Sequence, residues 1–392
     1  MSRQRVMWLA VADGRGHLMR AHLMRQLLGR QGVQVDVVTT SPEGARFLEA
    51  LGTPSQVLAP GFRIVYDAQQ NLSRRETERL VLRYLLSPRR IHSDLRSLQP
   101  LMEGADLVVN DFHPLLLALP MFGQDAHESR IVHLYGQNLW GALEEHLNGR
   151  APVLVDRLFQ QRVRRLRSRA FGTVEHSLEV APGTVQRRGA RAVRLAPIVP
   201  SLSASPEAVR SRLGVGRDER LATVYLNPYF RSPALGERLE RALRARGYRL
   251  HAVGEGMQGR PGWQAYEPHL AEIAAASDLL VAAPGMGSLG QASLFGVPYL
   301  ALCTDQPEQA QNLTQLDCAA VRTFHPSVED DDALIRSLVA LEHGSRQRWH
   351  ERPSPVAAVE RLHASWVRAL TGLIAASVAE RPHSTQELAY AS

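Results

Sequence analysis

Two polar residues in the N-terminal half have the types and positions of a general base and its partner. His17 lies in segment 13–20 (DGRGHLMR), just after an apolar run, and Asp111 ends a second apolar run, Leu107–Asp111. If both runs are strands of one parallel sheet, their carboxyl ends converge on a single cleft. Asp111 could then accept a hydrogen bond from one nitrogen of His17 and leave the other nitrogen as a base.

The same residues also have simpler structural interpretations. Gly14 and Gly16 permit a tight turn that begins a helix, so His17 could be an exposed residue of a helix-capping loop. Asp111, just before a turn that contains Pro114, is typical of a residue that caps the next helix. Spacing alone favours the cap for Asp111 and does not decide the role of His17. The glycines do not follow G-x-G-x-x-G, so a dinucleotide fingerprint is not supported.

A glycine turn in the C-terminal half has the features of a phosphate site. In segment 278–291 (DLLVAAPGMGSLGQ), a buried strand is followed by Gly285 and Gly287, where the backbone can pass close to a ligand. Ser288 and the N–H groups around it are predicted to begin a helix, whose positive end suits a diphosphate. Gln291, one turn later, could hydrogen-bond a sugar. The segment therefore predicts a nucleotide-sugar pocket.

Further polar residues follow other predicted strands of this half. Tyr266 offers a stacking face for a base and, with Glu267, precedes a helix, although this is equally an ordinary strand-to-helix turn. Asn227 follows the first strand of this half and could face phosphates, but Asn-Pro turns are common.

Composition sets outer limits on the class of protein. The chain has 392 residues, 44% of them hydrophobic, which is enough for two domains. No apolar run reaches the roughly 18–20 residues that span a bilayer, and two cysteines cannot form a disulfide framework. We therefore expect a cytoplasmic protein. All 46 basic residues are arginine, which excludes Schiff-base lysine chemistry and a Walker-type loop. The net charge of +7 favours anionic partners.

One basic segment offers a surface for such partners. Arg157–Phe171 has six arginines on a predicted helix, which could contact the anionic inner face of a membrane or gather a phosphorylated acceptor. A solvated helix packed on its own domain is the simpler interpretation. No recognised nucleic-acid motif accompanies it, so we expect no nucleic-acid partner. Neither H-E-x-x-H nor G-x-S-x-G occurs in the chain.

Alternating apolar runs and helical patterns supply the elements that position these residues. Parallel strands covered by helices on both faces are predicted in two similar halves, an α/β architecture with a cleft between them. The proline- and serine-rich segment 197–206 is typical of a linker. We predict domains at 1–200 and 207–352, a helix at 353–379 that packs back on the first domain, and a flexible tail at 380–392. The first half includes a predicted strand at 63–67 and one long helix at 74–102.

Taken together, these features resemble the GT-B glycosyltransferases over nearly the whole chain. Segment 266–285 (YEPHLAEIAAASDLLVAAPG) is similar to the donor domain of the peptidoglycan N-acetylglucosaminyltransferase and of macrolide-type and plant UDP-glycosyltransferases. Three motifs resemble a bacterial and archaeal branch of that superfamily. They are 14–20 (G-x-G-H-x-x-R), 111–115 (D-F-x-P-L) and 305–312 (DQPEQAQN).

The resemblance implies transfer of a sugar from a nucleotide-sugar, UDP- or dTDP-linked, to a hydroxyl of a lipid or small metabolite. His17 would be the general base, oriented by Asp111, and the reaction would invert the anomeric centre and use no metal and no cofactor beyond the nucleotide-sugar cosubstrate. The second domain would bind the donor through Asn227, Tyr266, Glu267, Gly285, Met286, Gly287, Ser288, Gln291, Asp305 and Gln306. The first domain would bind the acceptor through Gly16, Arg20 and His113.

Three departures from these relatives leave alternatives open. Many relatives have a glutamate where this chain has Gln291, a histidine or arginine often stands at the position of Ala283, and the glycine-rich loop of the peptidoglycan enzyme is replaced at Asn227. A non-catalytic protein of the same fold that binds a nucleotide-sugar or glycan is therefore the second hypothesis. A nucleotide-sugar 2-epimerase is the third, although no cluster of acidic and basic residues suited to that reaction is visible.

Overall fold

The computed structural model describes most of the chain. The described residues are 3–58, 63–67, 71, 73–117, 130–139, 172–314, 320–344 and 348–379. The basic segment Arg157–Phe171 and the tail 380–392, both singled out from the sequence, lie outside these residues.

The first half forms an eight-stranded sheet. Its strands are β1 Arg5–Ala10, β2 Gln34–Thr39, β3 Ser55–Val57, β4 Leu107–Asp111, β5 Ile131–Gly136, β6 Gly172–His176, β7 Gln186–Arg187 and β8 Ala192–Leu195. Their order is β3-β2-β1-β4-β5-β6-β8-β7, and every pairing is parallel except that of β7 with β8. The central strands are apolar on both faces because helices cover both faces.

The helices of this half correct two predictions. They are α1 Arg15–Gly29, α2 Pro42–Ala50, α3 Arg74–Leu85, α4 Pro88–Glu103 and α5 Pro114–Leu117. The single helix predicted at 74–102 is wrong, because Pro88 disfavours helical backbone at Ser87, where the chain breaks. The strand predicted at 63–67 is also wrong. These residues form no strand, and the edge of the sheet is instead the short and largely exposed β3.

The second half forms a six-stranded sheet in which all pairings are parallel. Its strands are β9 Arg220–Leu226, β10 Tyr248–Gly254, β11 Trp263–Gln264, β12 Leu279–Ala282, β13 Tyr299–Leu302 and β14 Val321–Phe324. Their order is β11-β10-β9-β12-β13-β14. The helices are α6 Pro206–Arg212, α7 Pro233–Ala245, α8 Leu270–Ala275, α9 Met286–Phe295, α10 Pro307–Leu313, α11 Asp331–Gly344 and α12 Val356–Ala379, with short 3-10 turns at Glu255–Met257 and Trp349–Glu351.

Helix α12 ties the end of the chain to the first half. Trp366 donates a hydrogen bond from Nε1 to the Ala196 carbonyl at 2.9 Å, and His363 Nε2 lies 2.8 Å from the Val199 carbonyl oxygen. By length and composition alone α12 could cross a membrane, but half of its most apolar stretch is buried inside the protein. Its apolar residues belong to a core cluster that contains residues of both halves.

Candidate active site

Asp111 is the centre of a buried polar network at the carboxyl edge of the first sheet. It ends β4 beside Ala10, the last residue of β1, and its side chain is fully buried. Asp111 accepts four hydrogen bonds from three side chains. These are His17 Nδ1 at 2.6 Å, Arg20 Nε and Nη2 at 2.9 and 2.7 Å, and Trp8 Nε1 at 3.4 Å. The predicted hydrogen bond between His17 and Asp111 is therefore present.

These partners keep Asp111 ionised. Burial by itself would raise the pKa of Asp111, but the positive charge of Arg20 and the interaction with His17 outweigh it and hold the pKa well below its usual range. The carboxylate is a stable acceptor for the Nδ1–H of His17. Because Arg20 shares that carboxylate, the main effect of Asp111 on His17 is to orient the ring and select its tautomer.

The start of α1 presents His17 to the cleft. Gly14 precedes the helix with an extended backbone, and a Cβ on Gly14 would lie 3.1 Å from His17 Cδ2, so this glycine leaves room for the ring. Nδ1 of His17 also lies 3.0 Å from Nη2 of Arg20, but its nearer contact, at 2.6 Å, is the ionised Asp111 carboxylate, which can only accept; the proton is therefore assigned to Nδ1 and the lone pair to Nε2. The His17 side chain is 29% exposed, which allows a ligand to reach Nε2. The geometry is that of a general base.

The turn after Asp111 is held in an uncommon conformation. Phe112 has a φ of 66°, in the left-handed region that residues with a Cβ rarely adopt. The buried Asn110 fixes this turn, because Oδ1 accepts from the His113 N–H at 2.7 Å and Nδ2 donates to the His113 carbonyl at 3.0 Å. Strain of this kind persists where surrounding contacts impose it, often at functional sites.

Two residues predicted to bind the acceptor are largely buried in this network. Arg20 is 8% exposed and directs its guanidinium to Asp111. His113 is 2% exposed, its Nδ1 accepts from the Leu115 N–H at 3.2 Å, and burial lowers its pKa to about 4. Gly16, the third such residue, is exposed at the start of α1. Acceptor contact by these three residues stays a prediction.

Asp13 is a further titratable group beside His17. Burial raises its pKa to about 6, although a hydrogen bond from the Ile64 backbone and the charges of His17 and Arg63 act against that rise. A carboxyl group that titrates in this range lies within the electrostatic reach of the candidate base. The sequence showed Asp13 only as the first residue of the loop.

The predicted glycine turn begins helix α9. Gly285 caps the helix with extended backbone, and a Cβ on Gly287 would meet nothing within 4 Å. The Ser288 hydroxyl donates to backbone carbonyls of the turn, with Oγ lying 2.8 Å from the Ala283 oxygen and 3.0 Å from that of Gly285. Ser288 therefore shapes the turn, and the open space for an anion lies along the backbone N–H groups at the start of α9.

Helix α10 holds this turn against the first half. Asn312 donates from Nδ2 to the Pro284 carbonyl at 3.0 Å and accepts from Asn138 Nδ2 at 3.1 Å. Asn138 follows β5, so one pair of amides joins the carboxyl edge of the first sheet to the glycine turn. Asp305 and Gln306 lie in the loop before α10, where the Gln306 backbone precedes the helix.

The remaining predicted donor residues lie around the cleft edge of the second sheet. Asn227 accepts from the Tyr229 N–H at 3.0 Å through Oδ1, and Glu267 accepts from the His269 N–H at 2.8 Å through Oε1, so both side chains stabilise turns. Gln291 is half-buried on α9, and its side chain makes no hydrogen bond to the described part of the chain. Tyr266 packs edge-on against Phe47 of the first half, with 5.9 Å between ring centroids.

A charged contact also joins the two halves beside the candidate base. Arg15, two residues before His17, donates from Nε and Nη2 to both oxygens of Glu255 at 2.8 and 2.6 Å. Its guanidinium lies 4.7 Å from the centre of the Phe47 ring, a cation–π contact. Phe47 in turn packs against Tyr266 of the second half. Paired Arg–carboxylate geometry of this kind sets the relative position of the two cleft walls.

Several residues of the site were not identified from the sequence. Trp8 lies inside a strand that resembles any other core strand, and His176 ends β6, a strand that was not predicted. Within the described ranges, no group of three or more His, Cys, Asp or Glu residues is arranged to hold a metal ion.

Solved structures of other proteins share the fold of this chain. No family model matches the chain, and no curated protein matches it in sequence. Among solved structures, the calicheamicin glycosyltransferase CalG4 has a TM-score of 0.60 at 16% identity, covering 97% of this chain and all of CalG4. LpCGTa in complex with UDP has a TM-score of 0.60 at 17% identity, covering 96% of this chain and 100% of LpCGTa. MurG of Acinetobacter baumannii has a TM-score of 0.51 at 16% identity, with coverages of 94% and 99%.

These similarities confirm the predicted architecture. Two parallel-sheet α/β halves joined in this order, with glycosyltransferases as full-length structural neighbours, define the GT-B fold. At this level of sequence identity the structural similarity establishes the fold but not the reaction.

Proposed function

We propose that this protein transfers a sugar from a nucleoside-diphosphate sugar to a hydroxyl group of a lipid or small-molecule acceptor. The observation that carries the proposal is the 2.6 Å hydrogen bond between His17 and the buried Asp111 at the carboxyl edge of the first sheet. In doubly wound sheets this edge is where ligands bind. The pair lies on a GT-B fold whose second half offers an open helix N-terminus to a diphosphate.

The proposed reaction is a single displacement. Nε2 of His17 takes the proton of the acceptor hydroxyl as its oxygen attacks the anomeric carbon. The bond between that carbon and the diphosphate oxygen breaks, and its electron pair leaves with the diphosphate. Attack from the face opposite the leaving group inverts the anomeric centre. Asp111 keeps the proton on Nδ1 before the transfer and stabilises the imidazolium afterwards.

The leaving diphosphate requires stabilisation that the second half supplies. The first backbone N–H groups of α9 have no partner within the helix, a Cβ on Gly287 would meet nothing within 4 Å, and the helix dipole adds positive potential there. We propose that the reaction needs no metal. Tyr266 and Glu267 would contact the base, Gln291 the ribose or sugar, and Asp305 and Gln306 the transferred sugar.

The proposal extends to the cellular setting. A UDP- or dTDP-linked donor is available in the cytoplasm, where we place the protein. The arginines of Arg157–Phe171 would bring it to an anionic membrane face if the acceptor is a lipid. We propose no nucleic-acid partner.

A thermal-shift panel of UDP-, dTDP- and GDP-sugars with their free nucleotides tests the donor half of the proposal. At a ligand concentration a hundred times Kd, stabilisation of about 2.7 kcal/mol is expected. We expect a shift with UDP- or dTDP-linked ligands. Failure of every nucleotide to shift the melting temperature at millimolar concentration would reject a nucleotide-sugar donor.

The base is tested with the donor found in that panel and a mixture of hydroxyl acceptors. His17→Ala should lower turnover at least about 100-fold while leaving donor affinity unchanged. His92→Ala is the matched control, because His92 is an exposed histidine on α4. Full turnover by His17→Ala would contradict the mechanism, and epimerised donor without acceptor would favour the 2-epimerase.

A further inference from the structure

His176 is a buried histidine outside the base pair that lies across the cleft from the glycine turn. It is the last residue of β6, at the same carboxyl edge as Asp111, and is 5% exposed. Its Nε2 lies 3.3 Å from Nη1 of Arg20, the arginine that also binds Asp111. Arg20 therefore connects the candidate base with a second imidazole.

The contact with Arg20 determines which nitrogen of His176 carries a proton. A guanidinium only donates hydrogen bonds, so Nε2 of His176 must be the acceptor in this contact. Burial, reinforced by the charge of Arg20, keeps the pKa of His176 well below its ordinary value, so the ring is neutral. A neutral ring with an accepting Nε2 has its proton on Nδ1.

Nδ1 of His176 is a buried donor that has no hydrogen-bond partner within the described residues. A buried donor without an acceptor has lost its hydrogen bonds to water and gained none, so a bound acceptor at this point would be favoured. The satisfied groups around Asp111 show that this network otherwise pairs its polar atoms. The unsatisfied Nδ1–H is therefore a candidate contact for a bound molecule.

Gly136 shows how close His176 lies to the start of α9. A Cβ on Gly136 would be 3.3 Å from His176 Cε1, 3.8 Å from His176 Nδ1 and 3.7 Å from Met286 Cγ. The ring of His176 and the first residue of α9 thus border the same point between the two halves. The missing Cβ lets them approach each other, and the flexible thioether of Met286 can adjust to a neighbouring ligand.

We propose that the Nδ1–H of His176 donates a hydrogen bond to the β-phosphate of a nucleoside diphosphate bound at the start of α9. This inference rests on the proposed function and adds a first-half residue to the donor site. The adjacent Arg20 polarises the imidazole, and an anionic acceptor makes the hydrogen bond stronger than one between neutral groups. His176 would also stabilise the diphosphate as it leaves.

Two amide substitutions separate the two nitrogens of the ring. The amide of His176→Asn lies near the position of Nδ1, so this variant keeps a donor toward the cleft. The amide of His176→Gln lies near the position of Nε2, so this variant keeps a polar atom toward Arg20 and loses the cleft donor. Binding of UDP, UMP, dTDP and dTMP to each full-length variant is measured by isothermal titration calorimetry.

The loss of affinity in the variants should depend on whether the nucleotide carries a second phosphate. His176→Gln should bind the diphosphate that the native protein binds about tenfold more weakly, and the matching monophosphate equally well. His176→Asn should stay within about threefold of the native protein for both. Equal diphosphate affinity in all three proteins would overturn the role of His176. Parallel losses for diphosphate and monophosphate would also overturn it, because they indicate a purely structural effect.

A second measurement covers the case in which the variants do not fold. In native protein with ¹⁵N-labelled histidine, the Nδ1–H signal of His176 should move on addition of the diphosphate and stay in place with the monophosphate. An unmoved signal with a diphosphate that binds would reject the contact. If the native protein binds none of the four nucleotides, the proposed function fails, and the role of His176 fails with it.

Discussion

The candidate base and the glycine turn, on opposite walls of the cleft, differ in how far their polar groups are already satisfied. On the first wall Asp111 accepts four hydrogen bonds, and His17 and Arg20 are held against it. On the second wall, a Cβ on Gly287 would meet nothing within 4 Å, and the Gln291 side chain makes no hydrogen bond to the described part of the chain. The fold alone orients His17, whereas under the proposed function a ligand would complete the glycine turn. If His17 is the base, this pre-organisation lowers the cost of reaching the reactive geometry.

Asp111→Asn should have the largest effect on the first wall. The substitution removes the buried charge that pairs with Arg20, and an uncompensated buried charge costs about 3–5 kcal/mol of unfolding free energy. Urea unfolding measures the loss. The control is the double variant Asp111→Asn with Arg20→Met, which should recover much of the stability, because the unpaired charge is gone. A single variant as stable as the native protein would show that this wall is not held by the Asp111–Arg20 pair.

The buried histidines of the first wall predict how stability depends on pH. Burial lowers the pKa of His113 to about 4, and burial with the charge of Arg191 lowers that of His133 to about 3. Their folded values lie below the unfolded value of 6.5, so their contribution is present above that pH and is lost as the pH falls. Between pH 7 and pH 5, each histidine should reduce the unfolding free energy by about 2 kcal/mol.

Denaturant titrations at several pH values measure this loss. His92→Ala, at an exposed position, should leave the slope of stability against pH unchanged, whereas replacement of His133 by Gln should flatten it. A His133→Gln variant that keeps the native slope of stability against pH would show that His133 is not held neutral.

Alanine substitutions at two glycines, one on each wall, should have the smallest effects on stability, with opposite signs. A Cβ on Gly44 would lie 2.7 Å from Thr39 Oγ1 and 2.9 Å from Ala12 Cβ, so Gly44→Ala should cost about 1–3 kcal/mol of stability. Gly287 lies in the first turn of α9 with open space around it, so Gly287→Ala should raise stability by up to about 1 kcal/mol.

Ligand affinity separates the same two glycine variants. Gly287→Ala should weaken binding of a nucleoside diphosphate about tenfold, because a methyl group enters the space where the ligand approaches the backbone. Gly44→Ala should leave that affinity unchanged wherever the protein is folded. Calorimetric titration and thermal unfolding measure both quantities. The contrast between the walls is lost if Gly287→Ala binds the diphosphate as well as the native protein does.

The sequence predicted the α/β fold because short apolar runs alternate with helical patterns along both halves. His17 and Asp111 were found in this way, since each follows or ends a strand that is easy to recognise. The short strand Gly172–His176 carries only one apolar side chain, Val174, so His176 was missed along with it. Leu107–Asp111 is equally short but begins with three apolar residues, and it is this run that separates a strand from a loop.

The direction of each side chain was less predictable than its place in the chain. Arg20 was expected at the acceptor because segment 14–20 resembles the first loop of the GT-B relatives. Which way a guanidinium turns depends on partners about 90 residues away, and here the buried Asp111 attracts it. The break of the long helix at Ser87 was predictable from Pro88, since the residue before a proline avoids helical backbone.

A crystal structure with UDP or dTDP bound, determined beside the unliganded protein, tests the central claim most directly. We expect a diphosphate against the backbone N–H groups at the start of α9, within hydrogen-bonding distance of His176 Nδ1. His17, Arg20 and Asp111 should keep their geometry within about 0.5 Å, while the second wall rearranges around the ligand. A diphosphate bound elsewhere, or a base pair that forms only in the complex, would contradict it.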